Sequence, residues 1–398
     1  MARLRARSLL VTVSALVLAG GCTAPVSAQN RPSTSQTVAG PAPVAAEQGA
    51  PPPTAPRPAT VALSMPPVPV ARLWPFKRLY NGDYVDVKAI AERYGLKATW
   101  ISSGRILQLA DAQGRGRLRF EDRRHDFLLD GVRVFMGSPT ASHEGSLWVG
   151  KIDVVKTIAP LLRPAEHAGQ LPAPPRLIVL DAGHGGNDPG LQNGVLHLNE
   201  KDLALDVVLR LKKLLEARGY QVLLTRTDDR KIELETRAGL ANEAKADLFV
   251  SVHFNGAGAT VTGTETYVLT PQLQVSTQPE QDKSMVRVAY PGNRRDFANV
   301  VLGYHLQHAV LAGLQTSDRG FKRYRYAVLR FAECPAALVE SAYLSNDAEA
   351  RRIATPEFRQ RIAQAIADGI SDYTATLAAI HPAASLPVEL HAPAATSK

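Results

Sequence analysis

The alternation of short apolar runs with helical segments from residue 176 onward is the feature that most restricts the fold. Six runs have the length of buried strands, and they lie at 177–180, 221–225, 247–252, 267–269, 327–329 and 337–339. Apolar residues at helical spacing predict helices over 201–217, 236–244, 296–314 and 356–375. This order predicts an α/β domain over residues 176–380, in which a mixed twisted sheet is flanked by helices.

Residues 74–165 carry shorter strand signals and predict a small α+β domain that precedes the larger one. A helix is expected from Lys88 to Tyr94, because Gly95 follows it as a stop signal. The paired strand signals that follow Trp100 are typical of antiparallel hairpins. This pattern resembles the stalk domain named for copper amine oxidases, which implies a binding or spacer role.

The remaining segments read as a leader, linkers and a tail. Three arginines, an apolar run at 9–18 and small residues before Cys22 predict a secretory signal over residues 1–22. Cleavage is expected at Cys22, as in a lipoprotein, or after Ala28 as in an ordinary exported protein. Pro- and Ala-rich composition predicts linkers at 23–73 and 166–175 and a flexible tail at 381–398. The chain is therefore expected in the periplasm, and cleavage at Cys22 would attach it to the membrane through a lipid on that residue.

Charge and cysteine content narrow the partners and the kind of metal site. The net charge of +9 resides in residues 1–175, where 21 Lys and Arg stand against 12 Asp and Glu. This predicts an anionic partner, and export favours a carboxylate-rich polymer over nucleic acid. Besides Cys22 the chain has only Cys334. Any metal site must therefore be built from His and carboxylate ligands.

Four polar residues stand where an α/β sheet exposes side chains. His184, His253 and Glu340 each follow an apolar strand, and Glu200 precedes the helix at 201–217. Ligands collect at the carboxyl ends of such strands. Two His and one carboxylate form a catalytic zinc set with a free fourth position, and a second carboxylate can accept a proton from water.

Four blocks of residues, in this order along the chain, resemble the zinc-dependent N-acetylmuramoyl-L-alanine amidases of the Amidase_3 type, which act on the bacterial cell wall. The blocks are 180–190 around His184, 199–202 around Glu200, 251–255 around His253 and 335–340 ending at Glu340. Segments 318–320 and 343–346 are similar to the same family. The resemblance covers about residues 176–375, and Ala182 replaces the proline usual in the family before Gly183.

The resemblance implies that His184, Glu200 and His253 bind Zn²⁺ and that Glu340 is the catalytic carboxylate. It implies hydrolysis of the amide between N-acetylmuramic acid and L-alanine in peptidoglycan, during cell-wall remodelling or daughter-cell separation. Peptidoglycan is then the partner. Asn255 and Arg319 are the expected substrate contacts, the latter from its charge and position alone.

Asp181 and Asn255 are candidates for the groups that orient the two histidines. His197 is a weaker candidate ligand, and the pair His305 and His308 fits an ordinary amphipathic helix better than a metal site. His125 and His143 are expected to be surface residues.

Several alternatives stay open from the sequence. The polar stretch 271–292 is expected to be a substrate-side loop, with an autoinhibitory plug as the alternative, and an activator protein is a further candidate partner. A zinc peptidase that cuts within the stem peptide has the same catalytic set. A noncatalytic peptidoglycan-binding or regulatory protein is the alternative outside the hydrolases.

Overall fold

A sheet of eleven strands runs through most of the residues that the computed structural model describes, which are 74–80, 82–278 and 283–382. The amino-terminal part of these residues is rich in hairpins. Its strands are β1 (Lys77–Leu79), β2 (Gly82–Asp86), β3 (Lys97–Ser102), β4 (Ile106–Ala110), β5 (Gly116–Glu121), β6 (Asp126–Leu129), β7 (Val132–Phe135), β8 (Ala141–His143) and β9 (Ser146–Gly150). Its helices are α1 (Val87–Tyr94), α2 (Lys151–Asp153) and α3 (Ala159–Leu162), with a π-helical turn at Val154–Ile158 between the last two.

The carboxy-terminal part alternates strands and longer helices, as the sequence predicts. Its strands are β10 (Leu177–Ala182), β11 (Gln192–Asn193), β12 (Leu198–Asn199), β13 (Gln221–Leu224), β14 (Leu248–Asn255), β15 (Thr264–Val268), β16 (Asp318–Arg323) and β17 (Ala336–Tyr343). Its helices are α4 (Glu200–Ala217), α5 (Leu234–Glu243), α6 (Asp296–Leu314), α7 (Ala327–Phe331), α8 (Asp347–Ala354) and α9 (Pro356–Ile380). Short 3₁₀ turns lie at Pro164–Gln170, Lys283–Arg287 and Pro291–Arg295.

The large sheet has the strand order β13-β10-β14-β17-β15-β16-β7-β6-β5-β4-β3. Strands β13, β10, β14 and β17 are mutually parallel, and β15 runs antiparallel to β17. Strand β16 then runs parallel to β15. The mixed sheet flanked by helices confirms the predicted fold class.

Helices cover both faces of the sheet in its carboxy-terminal half. Alternate residues of β10 point to opposite faces, so Ile178 joins the core under α4, α6 and α9, while Val179 packs with α5 and α7. None of the helices in the described residues is long and apolar enough to cross a membrane.

The predicted strand at 327–329 is wrong, because these residues form the short helix α7. Val328 and Leu329 are buried against Ala238 and Ala241 of α5. A three-residue apolar run has no measurable period, so a strand and a buried helical turn look alike in the sequence.

The sheet does not end where the predicted small domain begins. Strand β16 pairs in parallel with β7 through Phe321 and Val134, and β7 leads on to β6, β5, β4 and β3. The predicted linker at 166–175 starts within a 3₁₀ turn and includes Leu171, which is buried in the main core. The division at 74–165 and 176–380 stays a prediction, as do the boundaries at 1–22, 23–73 and most of 381–398, which lie outside the described residues.

Buried polar side chains connect the amino-terminal and carboxy-terminal parts beside the place where β7 pairs with β16. Asp153 accepts hydrogen bonds from the backbone N–H of Gly137 at 2.8 Å and of Ser138 at 3.2 Å, and from the amide of Gln274. Arg323 of β16 donates to the hydroxyl of Thr157 at 2.5 Å. Burial raises the pKa of Asp153 to about 6, although these donors and Arg323 oppose the shift.

Asp153 should make the stability of the chain depend on pH in an unusual direction. Its pKa is higher in the folded chain, about 6, than its ordinary value of 3.8, so the folded state holds the proton more tightly. The free energy of unfolding of the wild type minus that of Asp153→Asn should fall by about 3 kcal/mol as the pH rises from below 3.8 to well above 6. Urea denaturation at several pH values measures this difference.

Asp206→Asn is the matched control, because Arg210 and Arg359 outweigh desolvation and lower the pKa of Asp206. Its pH dependence should therefore have the opposite sign, with stability lost only as the pH falls below the ordinary range of an aspartate. A flat difference for Asp153→Asn between pH 4 and 6.5 would contradict the assignment.

Candidate active site

Three side chains from separate elements bring ligand atoms within 4.8 Å of one another, in an arrangement that could hold a metal ion. Oε1 of Glu200 lies 3.2 Å from Nε2 of His184 and 2.8 Å from Nδ1 of His253. The sequence predicted these three residues as a set, and the structure brings them together.

His184 lies just past the end of β10, in a loop whose backbone is unusual. Its φ of 58° is in the left-handed region, which a non-glycine residue occupies at a cost of about 1–3 kcal/mol. The preceding Gly183 packs so closely on the ring of His253 that a Cβ there would overlap it. The strained backbone of this loop therefore allows the two imidazoles to lie close together, with their ring centroids 5.0 Å apart.

Glu200 is the first residue of α4 and is buried. Its two oxygens accept hydrogen bonds from the backbone N–H of Leu191 at 2.9 Å and of Phe254 at 3.1 Å. Burial would raise the pKa of Glu200, but the hydrogen bonds from His184 and His253 outweigh burial and hold it below its ordinary value. The carboxylate is thus charged and fixed in place before any ion binds.

Glu340 lies beside this cluster because of strand register. It is the direct neighbour of His253 across the β14–β17 pair, and of Glu265 across the β17–β15 pair. Its Oε2 is buried and has no hydrogen-bond partner among the described residues. Burial, followed by the charges of Glu200 and Glu265, raises the pKa of Glu340 well above its ordinary value, against the opposing charge of Lys322. Among the described residues, the carboxylate of Glu340 therefore has no hydrogen-bond partner for Oε2 beside the cluster of His184, Glu200 and His253.

Glu265 is a site residue that sequence reasoning missed, and its carboxylate is bonded to three other side chains. It forms a buried ion pair with Lys322 and accepts from the amide of Asn255 and, at 2.8 Å, from the hydroxyl of Tyr267. The amide oxygen of Asn255 accepts from the N–H of Gly256 at 2.8 Å. The signal available in the sequence was a charged residue inside the strand Thr264–Val268, whose burial needs a partner.

The groups that orient the histidines differ from those expected. Nδ1 of His184 contacts Oδ2 of Asp188 at 2.9 Å. Asp181 instead accepts from Thr225, Ser251 and Arg237, and Asn255 contacts Glu265 rather than a histidine. The expectation for Asp181 and Asn255 as the partners of the histidines is therefore wrong, because the carboxylate of Asp181 and the amide of Asn255 are bonded to these other side chains.

Two buried arginines hold the loop that carries His184. Arg226 donates to the carbonyls of Ala182 at 3.0 Å and Gly183 at 2.8 Å. Arg237 donates to the carbonyl of His184 at 2.7 Å and to Oδ1 of Asp181 at 2.8 Å. Neither was foreseen, since an arginine that satisfies backbone carbonyls has no local sequence pattern.

The cluster opens into a pocket of about 380 Å³. The pocket is lined by His184, Glu200 and His253, which we call the metal-ligand cluster, and by Glu340 and Asn255. Its apolar and aromatic lining includes Leu191, Leu234, Tyr326, Val328 and Leu338. Arg319 does not line it, and its guanidinium lies 5.8 Å from the ring centroid of Tyr343. No described residue of 271–292 lines it either.

The other histidines are not part of the described cluster. His197 lies between β11 and β12, and Nε2 of His305 pairs with the hydroxyl of Thr376 at 3.0 Å. The ring of His308 stacks on Tyr304. His143 lies 3.2 Å from Glu144, and His125 lines two cavities away from the cluster.

Comparison with known proteins gives a consistent picture for this half of the chain. Residues 178–372 match the Amidase_3 family, described as N-acetylmuramoyl-L-alanine amidase. The chain is 32% identical over 218 residues to the uncharacterized protein YqiI of Bacillus subtilis, covering 54% of this chain and 91% of that protein.

Two further similarities extend the comparison. The N-acetylmuramoyl-L-alanine amidase LytC of Bacillus subtilis is 30% identical over 250 residues, which are 62% of this chain and 43% of LytC. The solved catalytic domain of CwlV, an N-acetylmuramoyl-L-alanine amidase of Bacillus (Paenibacillus) polymyxa var. colistinus, is 30% identical with a TM-score of 0.42 and covers 50% of this chain and 97% of that domain. The chain thus spans less than half the length of LytC.

Arg237→Met should destabilise the chain strongly. The substitution leaves the carboxylate of Asp181 buried without its cation and removes the donor to the carbonyl of His184, while Ala182 keeps its bond from Arg226. The expected loss is about 3–5 kcal/mol in the free energy of unfolding, measured by denaturant titration. Arg230→Met is the control, since its exposed pair with Asp228 should leave the titration midpoint unchanged. Equal midpoints for Arg237→Met and wild type would contradict the structural role.

Proposed function

We propose that this chain, which belongs to the Amidase_3 family of N-acetylmuramoyl-L-alanine amidases, hydrolyses the amide between N-acetylmuramic acid and L-alanine in peptidoglycan with the help of zinc. The observation that carries the proposal is the position of the unpartnered Glu340 directly beside the cluster of His184, Glu200 and His253. Such an arrangement suits a hydrolase in which one carboxylate handles protons next to a metal.

The donor set fits zinc. Two imidazole nitrogens and one carboxylate oxygen converge, and the open side faces the pocket. This is the three-ligand set of catalytic zinc sites, which keep a fourth position for water or substrate. When bound, zinc polarises the scissile carbonyl and acidifies the attacking water.

The residues of the chain supply the proton transfers and the positioning. Glu340 takes a proton from the attacking water and returns it to the departing amine of L-alanine. Asp188 holds the ring of His184 through Nδ1, so that Nε2 faces the cluster. Asn255 lines the pocket and is proposed to contact substrate. Arg319 lies outside the pocket, and it is proposed to bind a carboxylate of the stem peptide there.

The wider biology is also part of the proposal. We infer export to the periplasm through residues 1–22, with attachment through a lipid on Cys22 as the associated hypothesis. The reading of 271–292 as a loop rather than a plug is supported by the pocket, which none of the described residues of that segment lines. An activator protein and a role in cell-wall remodelling or daughter-cell separation stay hypotheses.

Mass spectrometry of the products from purified peptidoglycan tests the reaction. Wild type should release intact stem peptides with a free L-alanine amine, and a chelator should abolish this release. Glu340→Gln should lower kcat about 10²–10⁴-fold while the zinc content stays near one per chain, because Glu340 is not a ligand. His184→Ala and His253→Ala should lose the zinc itself.

The alternatives predict other products. Fragments cut within the stem peptide would replace the amidase with a zinc peptidase. A chain that binds peptidoglycan without zinc and releases nothing would be a noncatalytic binding protein.

Asp188→Asn should weaken the metal site without removing a ligand. The neutral amide no longer stabilises the orientation and basicity of His184, so zinc affinity should fall about 10–100-fold in a competition assay with a chelating dye. Asp228→Asn is the control, because its carboxylate pairs with Arg230 outside the cluster. Unchanged affinity for Asp188→Asn would show that the contact at 2.9 Å has no role in metal binding.

A further inference from the structure

Glu265 and Lys322 form a buried ion pair directly beside Glu340. Glu265 is the cross-strand neighbour of Glu340, and Lys322 is the register partner of Tyr267, which lies two residues along β15 from Glu265. Residues two apart on a strand point to the same face, and direct cross-strand neighbours do so as well. The four side chains therefore share the face of the sheet on which Glu340 lines the pocket.

The two neighbouring carboxylates, Glu265 and Glu340, differ in their donors. Oε2 of Glu265 pairs with the ammonium of Lys322. Oε1 of Glu265 accepts from the amide of Asn255 and, at 2.8 Å, from the hydroxyl of Tyr267. One strand away, Oε2 of Glu340 has no hydrogen-bond partner among the described residues. Glu265 thus collects three donors that lie on the face it shares with Glu340.

The ammonium of Lys322 is enclosed by protein. Its side chain is only 9% exposed, and the rings of Phe135 and Tyr267 lie 5.6 Å and 5.7 Å from it. A buried cation without a counterion is strongly unfavourable, so Lys322 needs a carboxylate. Its charge already acts on Glu340, because it lowers the pKa of that carboxyl against the larger effect of burial. Glu340 is therefore the alternative partner of Lys322 when Glu265 carries no charge.

An ion pair with Lys322 would disable Glu340 as a proton acceptor. The ammonium would occupy Oε2, the oxygen that is otherwise without a donor, and it would make the carboxylate less basic. In the wild type, Glu265 prevents this by neutralising Lys322 itself.

We propose that Glu265 is a positioning residue for the hydrolysis, and that it acts by holding Lys322 away from Glu340. This inference rests on the proposed function, in which Glu340 transfers the protons. In this role Glu265 needs no contact with the substrate. Its contribution is to leave Oε2 of Glu340 without a donor, so that the attacking water can bind there.

The first test compares kcat and KM for Glu265→Gln and for the double variant Glu265→Gln/Lys322→Met, with a soluble muramoyl peptide as substrate. Glutamine keeps a carbonyl oxygen for Asn255 and Tyr267 but releases Lys322. With Lys322 on Glu340, kcat should fall at least about tenfold while KM stays within about twofold. Removing the ammonium as well should restore kcat to within about threefold of the wild type.

A pair that only stabilises the fold does not give this rescue. An unchanged kcat for Glu265→Gln would overturn the proposal. A kcat that stays low in the double variant would overturn it as well, because no ammonium is then present to occupy Glu340.

Asp296→Asn is the matched control. Asp296 is also a buried carboxylate paired with a lysine, since its Oδ2 lies 3.3 Å from Nζ of Lys156. Neither residue lines the pocket. The kcat of Asp296→Asn should equal that of the wild type. A loss as large as that of Glu265→Gln would overturn the proposal, because releasing a buried lysine elsewhere in the fold would then have the same effect.

Urea titration of the metal-free chain tests the contact without the reaction. In the wild-type background, Glu340→Gln removes a buried carboxylate whose Oε2 has no partner, so the midpoint should stay or rise. In the Glu265→Gln background, Glu340 is the partner of Lys322, so the same substitution should lower the midpoint. An equal effect in both backgrounds would overturn the proposal.

The two measurements separate this inference from the proposed function. A chain that releases no stem peptides but shows the change of sign in the titration overturns the reaction, while the positioning of Lys322 by Glu265 stands. A chain that hydrolyses the muramoyl amide but responds equally in both backgrounds keeps the reaction and overturns the role of Glu265.

Discussion

The in-register pairing of β14, β17 and β15 is the constraint on which the site depends. It places His253, Glu340 and Glu265 in one row across three strands, although 75 residues separate Glu265 from Glu340 in the chain. A slip of one residue in β17 would turn Glu340 to the opposite face, into the core under α6. The backbone hydrogen bonds of the sheet therefore determine which carboxylate faces the metal-ligand cluster.

That row also concentrates negative charge in a place shielded from water. The charges of Glu200 and Glu265 both raise the pKa of Glu340, and the three carboxylates have different partners. Glu200 is held by two imidazoles, and Glu265 is neutralised by Lys322. Only Glu340 keeps an unsatisfied oxygen. A cation bound beside it would relieve the repulsion, so the electrostatics would favour a metal ion at the cluster of His184, Glu200 and His253 that could hold one.

The sequence was most informative where chemistry and secondary structure coincide. His184, His253 and Glu340 could be predicted because each follows a strand signal, and Glu200 because it starts a helix. Asp188, Arg226 and the pair of Glu265 with Lys322 could not, because their roles arise from contacts between segments with no shared local pattern. The same reason explains the missed joining of β7 to β16, whose contact at Val134 and Phe321 spans 187 residues. The strand assigned at 327–329 failed because a buried helical turn has the same composition.

The joining of β7 to β16 has a consequence for the order in which the chain can fold. When β3 to β7 are complete, β7 has one edge without a partner until residues 318–323 have been synthesised. An exposed strand edge is a template for pairing with other chains, and contacts between distant segments form slowly. In a chain that crosses a membrane unfolded, the edge of β7 would lack its partner strand for a time after translocation. Segments that keep neighbouring copies apart, or a chaperone that covers the edge of β7, would then matter more for this protein than for one whose sheet ends at β16.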